Sequence, residues 1–228
     1  MPDAPMPERS AALGAGAVPL GYDPAAAARH LVTVEPRLVP IVEAVGPPSY
    51  VPRGGTPFDA LLRAICYQQL NGKAAATIHR RVLAALGTPE GGASDPAALL
   101  NQPEEALRAC GLSRAKTAAV HDLARKTMEG TVPSLDDLHA LDDEAVIRRL
   151  VLVRGVGPWT VEMLLLFTLG RPDVWPVDDY AVRLAYARLW DAPDLTPKQL
   201  RERGEAFRPY RSAAAWYGWR LLDPPFGT

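Results

Sequence analysis

Apolar residues recur at intervals of three and four along most of this chain, with polar residues between them. The spacing predicts amphipathic helices over 24–32, 36–45, 57–70, 73–86, 103–110, 113–129, 142–153, 158–169, 179–190, 196–207 and 211–222. Start signals support several of these. Thr56-Pro57 and Thr196-Pro197 set a capping hydroxyl before a proline at the first helical position, and Ser113 and Asp142 precede two further runs. Gly87, Gly111, Gly130 and Gly170 stand where helices would end. No run of β-branched residues alternates between hairpin turns, so a sheet is not expected, and no internal repeat is present. The chain therefore reads as all-α with about ten helices. Residues 60–165 are expected to form one lobe, and 21–59 with 166–228 a second. Residues 1–20, rich in Ala, Pro, Gly and Met without periodicity, read as a flexible arm before a domain over 21–228.

Composition narrows the class. Of 228 residues, 48% are hydrophobic and 22% charged, enough for a core and unlike a disordered chain or a coiled-coil rod. Two cysteines, Cys66 and Cys110, without any CxxC spacing exclude a disulfide scaffold and make structural zinc or an iron–sulfur cluster unexpected. The apolar stretches 150–153 and 163–169 fall short of a membrane span, and the N-terminus has no apolar secretory core. A soluble, cytoplasmic protein with no membrane contact is the expectation. The near-balance of 25 basic against 26 acidic residues hides segregation. Residues 60–89 hold Arg63, Lys73, Arg80 and Arg81 and no acid, and 195–222 are also basic. The compensating acids gather at 132–145. Such a pattern permits one basic face.

Two stretches carry candidate chemistry. Leu150–Phe167 reads as two helices joined by Arg154-Gly155-Val156-Gly157-Pro158. The glycines permit positive φ, and the helix starting at Pro158 offers free amides at its positive end. Such a turn can rest on a phosphate, holding position without reading sequence, or can be a tight αα-hairpin whose glycines serve packing alone. Farther on, Asp178 and Asp179 precede a helix. One can cap it while the other is solvated, or a carboxylate held there beside aromatic residues can stabilise a developing cation.

Taken together, GVGPWT followed by WPVDDY resembles the helix–hairpin–helix DNA glycosylase superfamily. Two further matches point to its alkylpurine branch, that of 3-methyladenine DNA glycosylase II and its compact relatives. These are Tyr67-Gln-Gln-Leu-Asn-Gly-Lys and Phe207-Arg-Pro-Tyr-Arg-Ser-Ala-Ala-Ala-Trp-Tyr-Gly-Trp219. The resemblance spans about residues 57–222. It implies a two-lobed helical bundle with an active-site cleft between the lobes, and hydrolysis of the N-glycosidic bond of alkylated purines flipped from duplex DNA. Asp179 is then the catalytic carboxylate, with Asp178 as cap and orienter and as the alternate candidate. Trp159, Trp219 and Tyr180 would line the base pocket, with Met163 where relatives often have Tyr, and Trp175 and Tyr67 as neighbours. An aromatic wall attracts a cationic purine. Leu70 matches the family's intercalating position, beside Gln69. Gln68 and Gln69 pair with polar edges in the helix, reach the widowed base, or do neither.

The resemblance also makes Arg154, Gly155, Gly157 and Lys116 DNA-backbone contacts, and the carbonyls of Val151, Val153 and Val156 ligands for a sodium or potassium ion. No other cofactor is expected, and the protein should act as a monomer. Relatives that also nick the strand carry a Lys where this chain has Trp159, so no Schiff-base step is expected. The N-terminal β domain of larger relatives is expected to be absent or vestigial. A non-catalytic helix–hairpin–helix binding module is the competing reading, but it has no use for Asp179 or the aromatic set.

Overall fold

The computed structural model describes residues 19–226. All but the last two residues of the expected arm, 1–20, therefore lie outside the described residues. Thirteen α-helices and no strand are found among the described residues. They are α1 (Pro24–Val34), α2 (Val39–Val45), α3 (Pro57–Tyr67), α4 (Gly72–Ala85), α5 (Pro96–Leu100), α6 (Glu104–Ala109) and α7 (Arg114–Met128). There follow α8 (Leu135–Ala140), α9 (Asp143–Leu150), α10 (Pro158–Phe167), α11 (Tyr180–Leu189), α12 (Pro197–Gly204) and α13 (Arg211–Arg220). No helix among the described residues is long and apolar enough to cross a membrane.

The helices begin where the capping chemistry places them. Thr56, Ser113 and Asp142 each accept the amide three residues on, and Thr196 forms a reciprocal capping box with Gln199. Two helices were not expected. One is α8, whose first turn takes Asp136 and Asp137 from the acids that sequence alone presents as a block of charge; Asp143 and Glu144 fall in the first turn of the expected α9. There they complement the positive helix ends. Short α5 likewise starts at a capping Asp95 before Pro96.

The chain divides into two compact units. One is Arg53–Leu164; the other joins the segment ending at Pro52 to the segment beginning at Leu165. In the first, α7 lies against α3, α5 and α6, and Leu61, Leu62, Ile65, Leu99, Leu107, Val120 and Leu123 are fully buried. In the second, α13 packs on α11, α1 and α2. Tyr186 of α11 donates to Ala214 O at 2.9 Å, and Tyr217 of α13 donates to Gly46 O at 3.0 Å. Both rings are fully buried with their hydroxyls satisfied, which removes the cost of burying a phenol.

Candidate functional site

In the first unit, two loops approach α7. The first follows α3, whose final carbonyls lack helical partners. Lys116 supplies them: its Nζ donates to Cys66 O at 2.8 Å and to Gln68 O at 2.6 Å. Expected to face a phosphate, this ammonium is instead turned inward as a cap on α3, and burial pulls its pKa below the ordinary lysine value. Next in the turn, Gln69 is exposed at φ 58°, Leu70 is half-buried, and Asn71 caps α4 by accepting the Ala74 amide at 2.9 Å. Tyr67 closes α3 with the Arg63 guanidinium 3.8 Å above its ring and His79 at its edge.

The second loop is the hairpin between α9 and α10. Val153 and Val156 are buried and joined by a 3.0 Å bond from the Val156 amide to the Val153 carbonyl. Leu152 and Arg154 point outward, with 58% of Leu152 exposed. The two glycines act differently. Gly155 takes φ 77°, as anticipated, whereas Gly157 has an ordinary φ and open space where a side chain would stand. Its contribution is thus an unobstructed backbone. Asp122 of α7 accepts the Arg154 amide at 2.8 Å, and Lys126 donates to Leu152 O while pairing with Asp122 at 3.2 Å. Desolvation raises the Asp122 pKa, but the Arg154 amide and Lys126 outweigh it and hold the carboxyl below its usual range. Gln68 Nε2 donates to Gly155 O at 2.9 Å.

Trp159 and Met163 lie one turn apart on one face of α10, both half-buried. Phe167, one turn farther on that face, belongs to the second unit.

In the second unit the candidate carboxylate is held from two sides. Asp179 is the N-cap of α11, its Oδ1 accepting the Val182 amide at 2.9 Å and Trp219 Nε1 at 3.2 Å, and it is only 7% exposed. Asp178, expected as the cap, is exposed, and Asp179 takes that role itself. Only one of two adjacent residues can turn its side chain back onto the first helical amides. Trp219 begins an aromatic row that sequence reasoning missed. Its ring lies 5.5 Å from Phe167, Phe167 lies 5.4 Å from Tyr50, and the Tyr50 and Tyr22 hydroxyls meet at 3.4 Å. Burial pushes the Tyr50 hydroxyl up to about 12. Phe167 falls two turns after Trp159, a spacing that could have flagged it.

Two further residues expected at the pocket differ in burial. Tyr180 is 57% exposed, with Arg183 over its ring. Trp175 is a core residue: its indole donates to Leu200 O at 2.9 Å and packs edge-on against Tyr186 and Phe207. Among the described residues no group of three or more His, Cys, Asp or Glu is placed to hold a metal.

The model of the HhH-GPD superfamily, base excision DNA repair proteins, matches residues 62–209. The chain belongs to this superfamily. The match takes in both loops on α7 and Asp179. Among curated proteins it is 37% identical over 165 residues to DNA-3-methyladenine glycosylase 1 of Schizosaccharomyces pombe, covering 72% of each chain. Among solved structures, the 3-methyladenine DNA glycosylase of S. pombe in complex with abasic DNA superposes with a TM-score of 0.80 at 33% identity. That alignment covers 89% of this chain and 99% of the other. A DNA-3-methyladenine glycosidase from Bacillus halodurans gives a TM-score of 0.77 at 30% identity, over 87% and 89% of the two chains.

Proposed function

We propose that this HhH-GPD protein is a monofunctional DNA glycosylase that hydrolyses the N-glycosidic bond of alkylated purines in duplex DNA. The observation carrying this reading is Asp179, a nearly buried carboxylate fixed at a helix N-terminus by an amide and an indole N–H. A cap alone needs neither that burial nor a second donor. The identity to glycosylases named for 3-methyladenine supports the substrate class.

The chemistry follows from charge. Alkylation at N3 or N7 makes the purine a cation, and so a good leaving group once the base is out of the stack. As the C1′–N bond breaks, its electron pair leaves with the base and positive charge grows on the sugar. The Asp179 carboxylate stabilises that oxocarbenium-like centre and orients a water that adds to C1′, losing a proton. The resemblance gives Trp159, Trp219 and Met163 the role of receiving the base, the indoles by cation–π attraction worth roughly 0.5–2 kcal/mol. Trp159 offers no amine, so no Schiff base forms there. Leu70 fills the gap left in the duplex, and the open backbone at Gly157 with the free Arg154 side chain meets phosphates. The carbonyls of Val151, Val153 and Val156 are neutral oxygen donors suited to a hard monovalent cation. Such an ion would add positive charge at the DNA backbone.

The test is release of free base from methylated duplex DNA by the native chain, Asp179→Asn and Asp178→Asn. Asparagine caps a helix as well as aspartate, so Asp179→Asn should fold and bind DNA yet release no base, while Asp178→Asn stays active. Duplex binding without release by the native protein would reject catalysis in favour of a binding module.

A further inference from the structure

Lys116, Ala119, Asp122 and Lys126 follow one another at steps of three or four along α7 and so share one face. Each of them meets one of the two loops. Lys116 holds the carbonyls of Cys66 and Gln68, and the Ala119 methyl lies 3.4 Å from where a side chain on Gly155 would begin. Asp122 holds the Arg154 amide, and Lys126 the Leu152 carbonyl. Gln68 closes the circuit. Its carbonyl takes the Lys116 ammonium while its side-chain amide donates to Gly155 O, joining positions 87 residues apart in the chain. Immediately beyond it stands Gln69 at φ 58°, a conformation that a side-chain-bearing residue keeps only where its surroundings enforce it.

We propose that Gln68 and Asp122 are positioning residues that lock the Gln69–Leu70 turn and the 152–155 hairpin into one element, so that backbone engagement by the hairpin and insertion of Leu70 occur as a single event. This rests on the glycosylase reading for its substrate, but the coupling itself is a property of the two loops. Neither residue touches the reacting atoms. Without the Gln68 bond the hairpin would still bind duplex DNA, but the turn would sample conformations in which Leu70 is not presented.

The experiment uses the full chain with duplexes carrying 2-aminopurine beside either 7-methylguanine or a normal guanine. Variants are Gln68→Met, which keeps length and loses the donor, Asp122→Asn, Leu70→Ala and Gln68→Met/Leu70→Ala. Thermal melting confirms folding of each. Gln68→Met should bind undamaged duplex within about threefold of the native chain. Its 2-aminopurine unstacking signal and single-turnover release of base should each fall about tenfold. The double variant should be no worse than Leu70→Ala alone, the signature of two residues acting through one event. Asp122→Asn, whose amide oxygen still accepts from Arg154, should lose less than Gln68→Met. Independent, multiplying effects of Gln68→Met and Leu70→Ala, or native unstacking in Gln68→Met, would overturn the coupling. Absence of base release by the native chain would instead reject the glycosylase reading, and the unstacking signal would still decide the coupling.

Discussion

The indole Nε1 of Trp219 and the Val182 amide converge on the same oxygen of Asp179, at 3.2 and 2.9 Å. One donor comes from the helix that Asp179 caps, the other from α13, so the carboxylate is oriented by two elements instead of one. Trp219→Phe keeps an aromatic ring against Phe167 and deletes the indole donor to Asp179. A hydrogen bond to a charged group is worth about 1.5–3 kcal/mol. The single-turnover rate of base release should therefore fall by about one to two powers of ten, with duplex affinity changed less than about threefold. An unchanged rate would show that Asp179 is oriented without the Trp219 indole.

Trp175 is held where it is by the absence of a side chain. A Cβ at Gly204 would lie 2.2 Å from the indole Nε1, and the ring cannot retreat because Tyr186 and Phe207 wall it and Leu200 O holds its N–H. Gly204 has an ordinary φ of −68°, so alanine suits the backbone and only the indole objects. Gly204→Ala should lower stability by about 1–3 kcal/mol despite the better helix propensity of alanine, read as a lower urea midpoint. A raised midpoint would mean that the ring has room to move.

His79 should make stability fall on mild acidification. Burial pushes its imidazole down to about 4, the Arg63 guanidinium adds to the shift, and Asp59 opposes it. The unfolded chain takes up this proton near pH 6.5. Between pH 6.5 and 4 the unfolded state thus binds more protons, and stability is lost as pH falls through that window. Allowing for partial solvation, the loss should be about 1–2 kcal/mol. Urea unfolding at several pH values, comparing the native chain with His79→Gln, checks this; the variant should show a flatter slope. Equal slopes would assign the proton uptake to another group.

What could be read in advance was local. A hydroxyl or carboxylate three residues before the amide it caps is a short-range relationship, which is why α3, α7, α9 and α12 begin where Thr56, Ser113, Asp142 and Thr196 indicate. Helices α5 and α8 span fewer than two turns and show no period, although Asp95-Pro96 and Ser134 carry start signals. The site was harder. Asp178 and Asp179 are equally good caps by composition, and only backbone geometry chooses Asp179. Lys116 turned inward because its partners are backbone carbonyls about fifty residues away, which no side-chain pattern records. Trp175 was expected beside the pocket from the resemblance alone; the space at Gly204 that seats its indole in the core is a missing side chain, which leaves no signal in the sequence.

Arg154 separates backbone attraction from chemistry. Its amide is committed to Asp122, whereas its guanidinium points away from the protein and has no ion-pair partner among the described residues. Each phosphate neutralised by such a side chain adds about 0.9 to the magnitude of the slope of log affinity against log salt on duplex DNA. Arg154→Ala should therefore reduce that magnitude by about one unit, equally for methylated and unmethylated duplexes, because a phosphate contact carries no sequence or lesion information. The Asp122 bond uses backbone, so the hairpin survives the substitution and the rate of base release from saturated complexes should change little. Affinity titrations from about 50 to 200 mM salt, paired with single-turnover release at saturation, read both quantities. A slope unchanged by Arg154→Ala would remove the guanidinium from the DNA interface. A fall in release at saturation would instead tie Arg154 to the hairpin's presentation of Leu70.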